Sequence, residues 1–229
     1  MTILALDTSS AAGSAALVRD GAVIVERAGD GSRVHGERLP LELMQVLRDA
    51  GAALADVDGF AIVNGPGSFT GLRVGIATMQ GLALGKRKLV TPISTFEALA
   101  FLARPAAAPL GVWIDAHRGE VFATLYGGDG RTVLEPATSL PPDKTLDAWS
   151  GSLSRGRVRF AGDGAVRYAA VIRGHLGDRA SVPADAPSLA GAIGLLAAAE
   201  PGRAVTPHAV VPLYVRRPDV ELARDRRAT

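Results

Sequence analysis

Two aspartates close apolar, strand-like runs: Asp7 ends Thr2 to Leu6, and Asp115 ends Val112 to Ile114. A carboxylate at the rim of a cleft suits Mg²⁺–phosphate chemistry, because hard cations take carboxylate oxygens. The same residue in the same place also caps a turn by accepting backbone N–H groups. Both readings are open from sequence. Thr8-Ser9-Ser10 adds hydroxyls that can line a phosphate site, yet the turn from Asp7 to Gly13 holds two alanines and neither Lys nor Arg. The four histidines, His35, His117, His175 and His208, form no HxxxH or HExxH pair, which removes the two-histidine helix site for zinc or iron. His35 reads as a hydrogen-bonding group at a helix start, and His117 as an exposed turn residue near Asp115. The chain has no cysteine, so thiolate nucleophiles, disulfides and cysteine metal sites are excluded.

The most specific string is Asn64-Gly65-Pro66-Gly67-Ser68-Phe69-Thr70-Gly71-Leu72-Arg73. It joins a strand-like run to a helix-like run, a layout that can present backbone N–H groups to an anion or to another chain. It is not a P-loop, because no Gly-Lys-Ser/Thr follows, and it is not a dinucleotide fingerprint. Arg73, one turn into the helix, can hold a carboxylate or phosphate bidentately or pair with an acid of a partner protein. Gly71 and Gly75 are four apart, as are Ala77, Gly81 and Gly85. A glycine inside a helix costs about 1 kcal/mol relative to alanine, so the repeat points to something packed very close to the backbone. That something is either the chain's own sheet or a helix of another subunit.

The elements that must position these residues follow from the patterning. Thr2–Leu6, Ser14–Val18 and Ala22–Val25 read as three strands, the last two joined by a tight Asp20-Gly21 hairpin. His35–Ala50 reads as a helix with Leu39, Leu43, Leu47 and Ala50 on one stripe, and Pro40 marks either its start or a kink. Phe60–Asn64 reads as a buried strand, the run to about Leu84 as a helix capped by Ser68 or Thr70, then Leu89–Pro92 as a strand and Thr95–Leu102 as a helix. The stretch 104–109 looks like a linker. After it the opening recurs: Val112–Ala116 mirrors Leu4–Thr8, and Gly119–Tyr126 mirrors Gly13–Val18. The repeat predicts two related half-domains: 1–104, and a smaller, degenerate 110–216. In the second half, 127–153 reads as turn-rich, Arg157–Ala161 as a strand, the following run through Arg173 as a helix, Ser188–Ala199 as a helix and Val210–Val215 as a last strand. Residues 217–229 read as a basic, frayed tail.

Of 229 residues, 48% are hydrophobic and 21% charged, and the net charge is +2. That is ordinary for a globular protein and does not demand nonspecific nucleic-acid binding. No apolar run reaches the ~20 residues of a membrane span, and the chain opens on a strand pattern without a leader-like segment. A cytoplasmic protein, with no membrane association, is expected.

Asp7-Thr8-Ser9, His35 with Leu39-Pro40, the Asn64–Arg73 string, Asp115-Ala116 and Pro212-Leu213-Tyr214-Val215-Arg216 occur in this order. Together they resemble the TsaB (YeaZ) family over nearly the whole chain. The resemblance implies an α/β fold of the actin/Hsp70-like (ASKHA) type with two ribonuclease-H-like lobes. It implies a non-catalytic scaffold subunit that activates the paralogous TsaD. TsaD transfers a threonylcarbamoyl group to N6 of adenosine 37 in tRNAs reading ANN codons. It also implies TsaE as a further partner, tRNA met through the complex, a homodimer when alone, and no cofactor of its own, the ATP and metal belonging to the complex and to TsaD. The family's partner contact maps onto the first two helices: His35, Leu39, Leu43, Leu47, Phe69, Gly71, Leu72, Arg73, Gly75 and Met79. On that reading, Gly75→Leu disrupts partner binding while the lobe stays folded. Asp7, Thr8, Ser9 and Asp115 would be a vestigial nucleotide or phosphate site. The alternatives are a self-sufficient actin-fold ATPase or phosphotransferase and, less favoured, a metallopeptidase of the historical glycoprotease label.

Overall fold

The computed structural model describes residues 1–153 and 156–216. The chain separates into two compact units. One comprises Met1–Pro105 and Asp185–Pro212; the other comprises Ala106–Ala184 and the described residues after Pro212. The sequence predicts a second lobe over 110–216, whereas the structure returns Asp185–Pro212 to the first unit.

The first unit is built on strands β1 (Thr2–Asp7), β2 (Ser14–Arg19), β3 (Ala22–Ala28), β4 (Gly59–Gly65) and β5 (Val90–Ser94), in spatial order β3-β2-β1-β4-β5. β1, β2 and β3 pair antiparallel, and β4 and β5 continue from β1 in parallel. Asp20 and Gly21 take φ of 50° and 76°, the geometry that a two-residue hairpin between right-twisted strands needs. Helices α1 (His35–Asp49) and α2 (Phe69–Lys86) cover one sheet face. There Leu4, Leu6, Leu17, Phe60 and Ile62 pack with Leu39, Leu43, Leu47, Ile76 and Met79. α1 runs through Pro40, which is exposed. α3 (Thr95–Ala103) and the later α7 (Ala190–Ala199) lie on the opposite face. α7 arrives from far along the chain, yet its first N–H groups are satisfied by strand side chains. Ser14 Oγ accepts from Leu189 and Ala190 at 3.1 and 3.0 Å, and Glu26 accepts from Gly191 at 2.8 Å.

The second unit repeats the plan with β6 (Leu110–Asp115), β7 (Val121–Tyr126), β8 (Val133–Leu140), β9 (Val158–Ala161) and β10 (Ala180–Ser181), in order β10-β9-β6-β7-β8. The senses match too: β6/β7 and β7/β8 are antiparallel, β6/β9 and β9/β10 parallel. α4 (Pro142–Ala148), α5 (Asp163–Arg167) and α6 (Ala169–Leu176) supply its helical layer. Its core centres on Trp113, edge-on to Trp149 and Phe160 at centroid distances of 6.0 and 5.5 Å.

Two expectations fail. The turn-rich stretch 127–153 contains β8 and α4; β8 carries Pro136 and buries none of its residues because it is an edge strand, where a missing N–H is tolerated. Val210–Val215 is not a strand. Pro207 and Pro212 lack backbone donors, and side chains hold the segment instead: Gln80 Nε2 donates to Pro207 O and Val210 O at 2.8 and 3.1 Å. The predicted tail, 217–229, lies outside the described residues.

Candidate functional site

The turn after β1 is the most elaborately held segment of the first unit. Asp7 is buried, and its Oδ1 accepts from Ser9 N at 2.8 Å and Ser9 Oγ at 2.6 Å. That is an Asx turn, the capping role weighed against metal chemistry. The following carbonyls are each taken by a donor from the helical side. Ser68 N donates to Ser9 O at 2.7 Å, His35 Nε2 lies 3.0 Å from Ser10 O, and Arg38 Nη2 donates to Ala11 O and Ala12 O at 2.9 and 2.6 Å.

Arg38 is the hub. It is 2% exposed, and its Nη1 donates to both oxygens of Glu42 at 2.8 and 2.6 Å, its Nε to Arg33 O at 3.2 Å. Its Nη2 also lies 2.7 Å from His35 Nδ1. A guanidinium only donates, so Nδ1 is the acceptor and the His35 proton sits on Nε2, aimed at Ser10 O. Burial first, and then the Arg38 charge, hold the His35 pKa below its ordinary value, which fits a neutral imidazole.

The glycines close the turn from the other side. A Cβ at Gly67 would lie 2.6 Å from Ser9 O, at Gly71 2.3 Å from Thr8 O, and at Gly75 2.2 Å from Thr8 Oγ1. The Gly65–Pro66 peptide is cis, and Pro66 O accepts from Thr95 Oγ1 at 2.7 Å. The specific string therefore packs its backbone on the β1 turn. Thr8 is fully buried, and its Oγ1 has no hydrogen-bond partner among the described residues.

This rearranges the expected partner surface. Leu39, Leu43, Leu47, Leu72 and Met79 are core residues, and His35 is part of the clamp. Gly71 and Gly75 face the chain's own turn, so Gly75→Leu would drive a side chain into Thr8 and damage the lobe itself. The resemblance assigns the two helices as a whole, and the apolar stripe of each is the face this chain buries in its own core. Outward-facing residues include Leu41 and Met44 on α1, 66% and 44% exposed, and Phe69, Arg73, Ala77, Gly81, Leu84 and Gly85 on α2. Arg73 stacks 3.9 Å above the Phe69 ring. A Cβ at Gly81 or Gly85 would meet nothing within 4 Å.

In the second unit Asp115 also caps its turn, accepting from His117 N at 3.1 Å. Its Oδ2 takes Arg167 Nη1 at 3.1 Å and faces His117 Nδ1 at 3.5 Å. Asp163 Oδ1 accepts from Asp115 N and Gly164 N at 3.1 and 2.9 Å, while burial pushes its carboxyl above the ordinary range. Among the described residues no group of three or more His, Cys, Asp or Glu is placed to hold a metal ion, and no helix is long and apolar enough to cross a membrane.

Sequence reasoning missed Arg38 and Glu42. The signal was present: with His35 they sit at helical spacing along the stripe that Leu39, Leu43 and Leu47 occupy, so a charged pair had to enter the buried side.

The doubled five-stranded plan, antiparallel then parallel in both units, defines an actin/Hsp70-like (ASKHA) fold. The activator of 2-hydroxyisocaproyl-CoA dehydratase from Clostridium difficile shares it at 12% identity, with a TM-score of 0.54 over 87% of this chain and 95% of that one. A family model, TsaD: tRNA N6-adenosine threonylcarbamoyltransferase, matches residues 26–144. YeaZ from Pseudomonas aeruginosa is 30% identical with a TM-score of 0.73, covering 93% of this chain and 99% of its own. The tRNA threonylcarbamoyladenosine biosynthesis protein TsaB of Escherichia coli is 38% identical over 131 residues, 56% of each chain. The chain belongs to the TsaB (YeaZ) family of tRNA threonylcarbamoyladenosine biosynthesis proteins.

Proposed function

We propose that this chain is a non-catalytic scaffold subunit that binds TsaD and activates it for threonylcarbamoyl transfer to N6 of adenosine 37 in tRNAs reading ANN codons. The observation that carries the reading is the outward face of α1 and α2: Leu41, Met44, Leu84 and a run of Ala77, Gly81 and Gly85 that allows another helix to approach closely. Two copies would pair through this face when TsaD is absent. TsaE completes the assembly in the cytoplasm, and ATP and the metal are held by the partners. Asp7 and Asp115 are engaged by their own turns, which weighs against a self-sufficient phosphotransferase.

The test is depletion of the protein followed by mass spectrometry of tRNA nucleosides. Threonylcarbamoyladenosine should fall, and the wild-type chain should restore it. A Gly81→Arg variant should fold normally, fail to co-purify with TsaD, and fail to restore the nucleoside. Restoration by Gly81→Arg at full level would move the interface elsewhere; an unchanged nucleoside on depletion would overturn the function.

A further inference from the structure

We propose that the turn between β6 and β7 is a contact site for the phosphodiester backbone of RNA. The inference rests on family membership, and not on the α1/α2 interface. His117, Arg118 and Gly119 occupy the turn with φ of 56°, 55° and 78°. Two consecutive residues with side chains are thus held in a left-handed backbone that such residues avoid. The turn is nevertheless fixed from both sides. Ala116 N donates to Glu120 O and Glu120 N to His117 O. Arg216 reaches in to bond Glu120 Oε2 at 2.9 Å and Ala116 O at 3.1 Å.

The charges around it are sorted by direction. The acids are engaged: the Asp115 side chain is 10% exposed, and Glu120, 30% exposed, is taken up by Arg216 at 2.9 Å and by Ser139 Oγ at 2.7 Å. The donors point outward: the His117 and Arg167 side chains are 73% and 61% exposed, and Arg118 is exposed between them in sequence. Asp115 therefore orients Arg167 and the His117 backbone while presenting little negative surface of its own. Arg118 and Arg167 carry their charge on the solvent side of the turn.

The ligand class follows from this openness. An isolated exposed ion pair gains little in water, so a free small anion would be held poorly. A polymer of phosphates gains from each counterion it releases, and the family acts on an RNA. Shallow, exposed guanidiniums contact phosphate without reading bases.

The test uses the full chain and labelled bulk tRNA, with fluorescence anisotropy across a NaCl series. Arg118→Gln/Arg167→Gln should weaken binding about tenfold near 100 mM salt and lower the salt slope by about two, with equal loss on an unrelated RNA. Thermal melting checks that the variant is folded, and Lys144→Gln, an exposed change on α4 of the same unit, should bind as wild type. Wild-type affinity and slope in the double variant would overturn the proposal. So would equal loss in Lys144→Gln, or wild-type binding that does not depend on salt.

Discussion

Gly75→Ala should destabilise the first unit, although alanine is the better helix former. Propensity favours the substitution by about 1 kcal/mol. Against it stands a methyl 2.2 Å from Thr8 Oγ1 and 2.9 Å from Thr8 Cγ2. Thr8 is fully buried and has only χ1 to turn, and that rotation exchanges one branch for the other. Relief requires α2 to move off the end of β1, and overpacking of this kind costs about 1–3 kcal/mol. Thr8 and the end of β1 leave α2 little room to yield, which puts the cost in the upper part of that range, so after the gain in propensity the expected net loss is about 1–2 kcal/mol, or roughly 2–8 °C in melting temperature. Thr8→Ala in the same chain removes both clashing atoms, so the pair should be more stable than the sum of the singles by about 1 kcal/mol or more. Gly81→Ala, with nothing within 4 Å, should raise stability by up to about 1 kcal/mol. Differential scanning calorimetry of the four variants decides. A Gly75→Ala melting at or above wild type, or lacking coupling to Thr8→Ala, refutes the close-packing account.

Arg38→Gln should cost about 3 kcal/mol, seen as a lower urea midpoint with unchanged m-value, because it leaves Glu42 and two turn carbonyls without their donor. Arg38→Lys should be nearly as damaging, since one ammonium cannot serve Glu42, His35 and the turn together. His35 has a folded pKa below its unfolded value near 6.5. Its contribution is therefore fully present above about pH 6.5 and is lost as pH falls through the folded pKa. The groups facing it are Arg38 and, more distantly, Glu42. Melting temperature should drop below pH 6.5 in wild type and less steeply in His35→Gln; taking the difference between the two removes Asp163, whose shift has the opposite sign. Parallel profiles would show that His35 is not the titrating group.

The strands of the first unit were legible because β1, β2 and β4 are short apolar runs and Asp20-Gly21 specifies its hairpin. The duplication was legible for a related reason: both units begin with the same strand, aspartate, turn, strand sequence. β8 was hidden by its exposed, alternation-poor pattern and its proline. The placement of α7 was hidden because its hydrophobicity is almost uniform around the helix and nothing local states which sheet it covers. Ser14 and Glu26, which receive its N-terminus, lie more than 160 residues away. At the β1 turn, Asp7 and the glycine string were found; the partner surface came from the resemblance, which maps whole helices and does not say which of their faces this chain buries, so Phe69 and Arg73 lie outward while Leu39, Leu43, Leu47, Leu72 and Met79 lie in the core.

The return of Asp185–Pro212 to the first unit places most of the second, Ala106–Ala184, between two segments of the first, and this sets the order in which the protein can be completed during synthesis. When residue 105 leaves the ribosome, β1, β2 and β4 have α1, α2 and α3 but lack α7, and Ala5 and Val18 lack the helix that packs on them through Gly194. About 80 further residues must be made first, which takes several seconds at roughly 5–20 residues per second. In that interval the second unit has its whole sheet and helical layer, and lacks only the segment after Pro212 that brings Arg216 to Glu120 and Ala116. The first cannot close until the helix encoded after it docks, so the nascent chain carries an apolar sheet face that α3 covers only in part, a state open to aggregation.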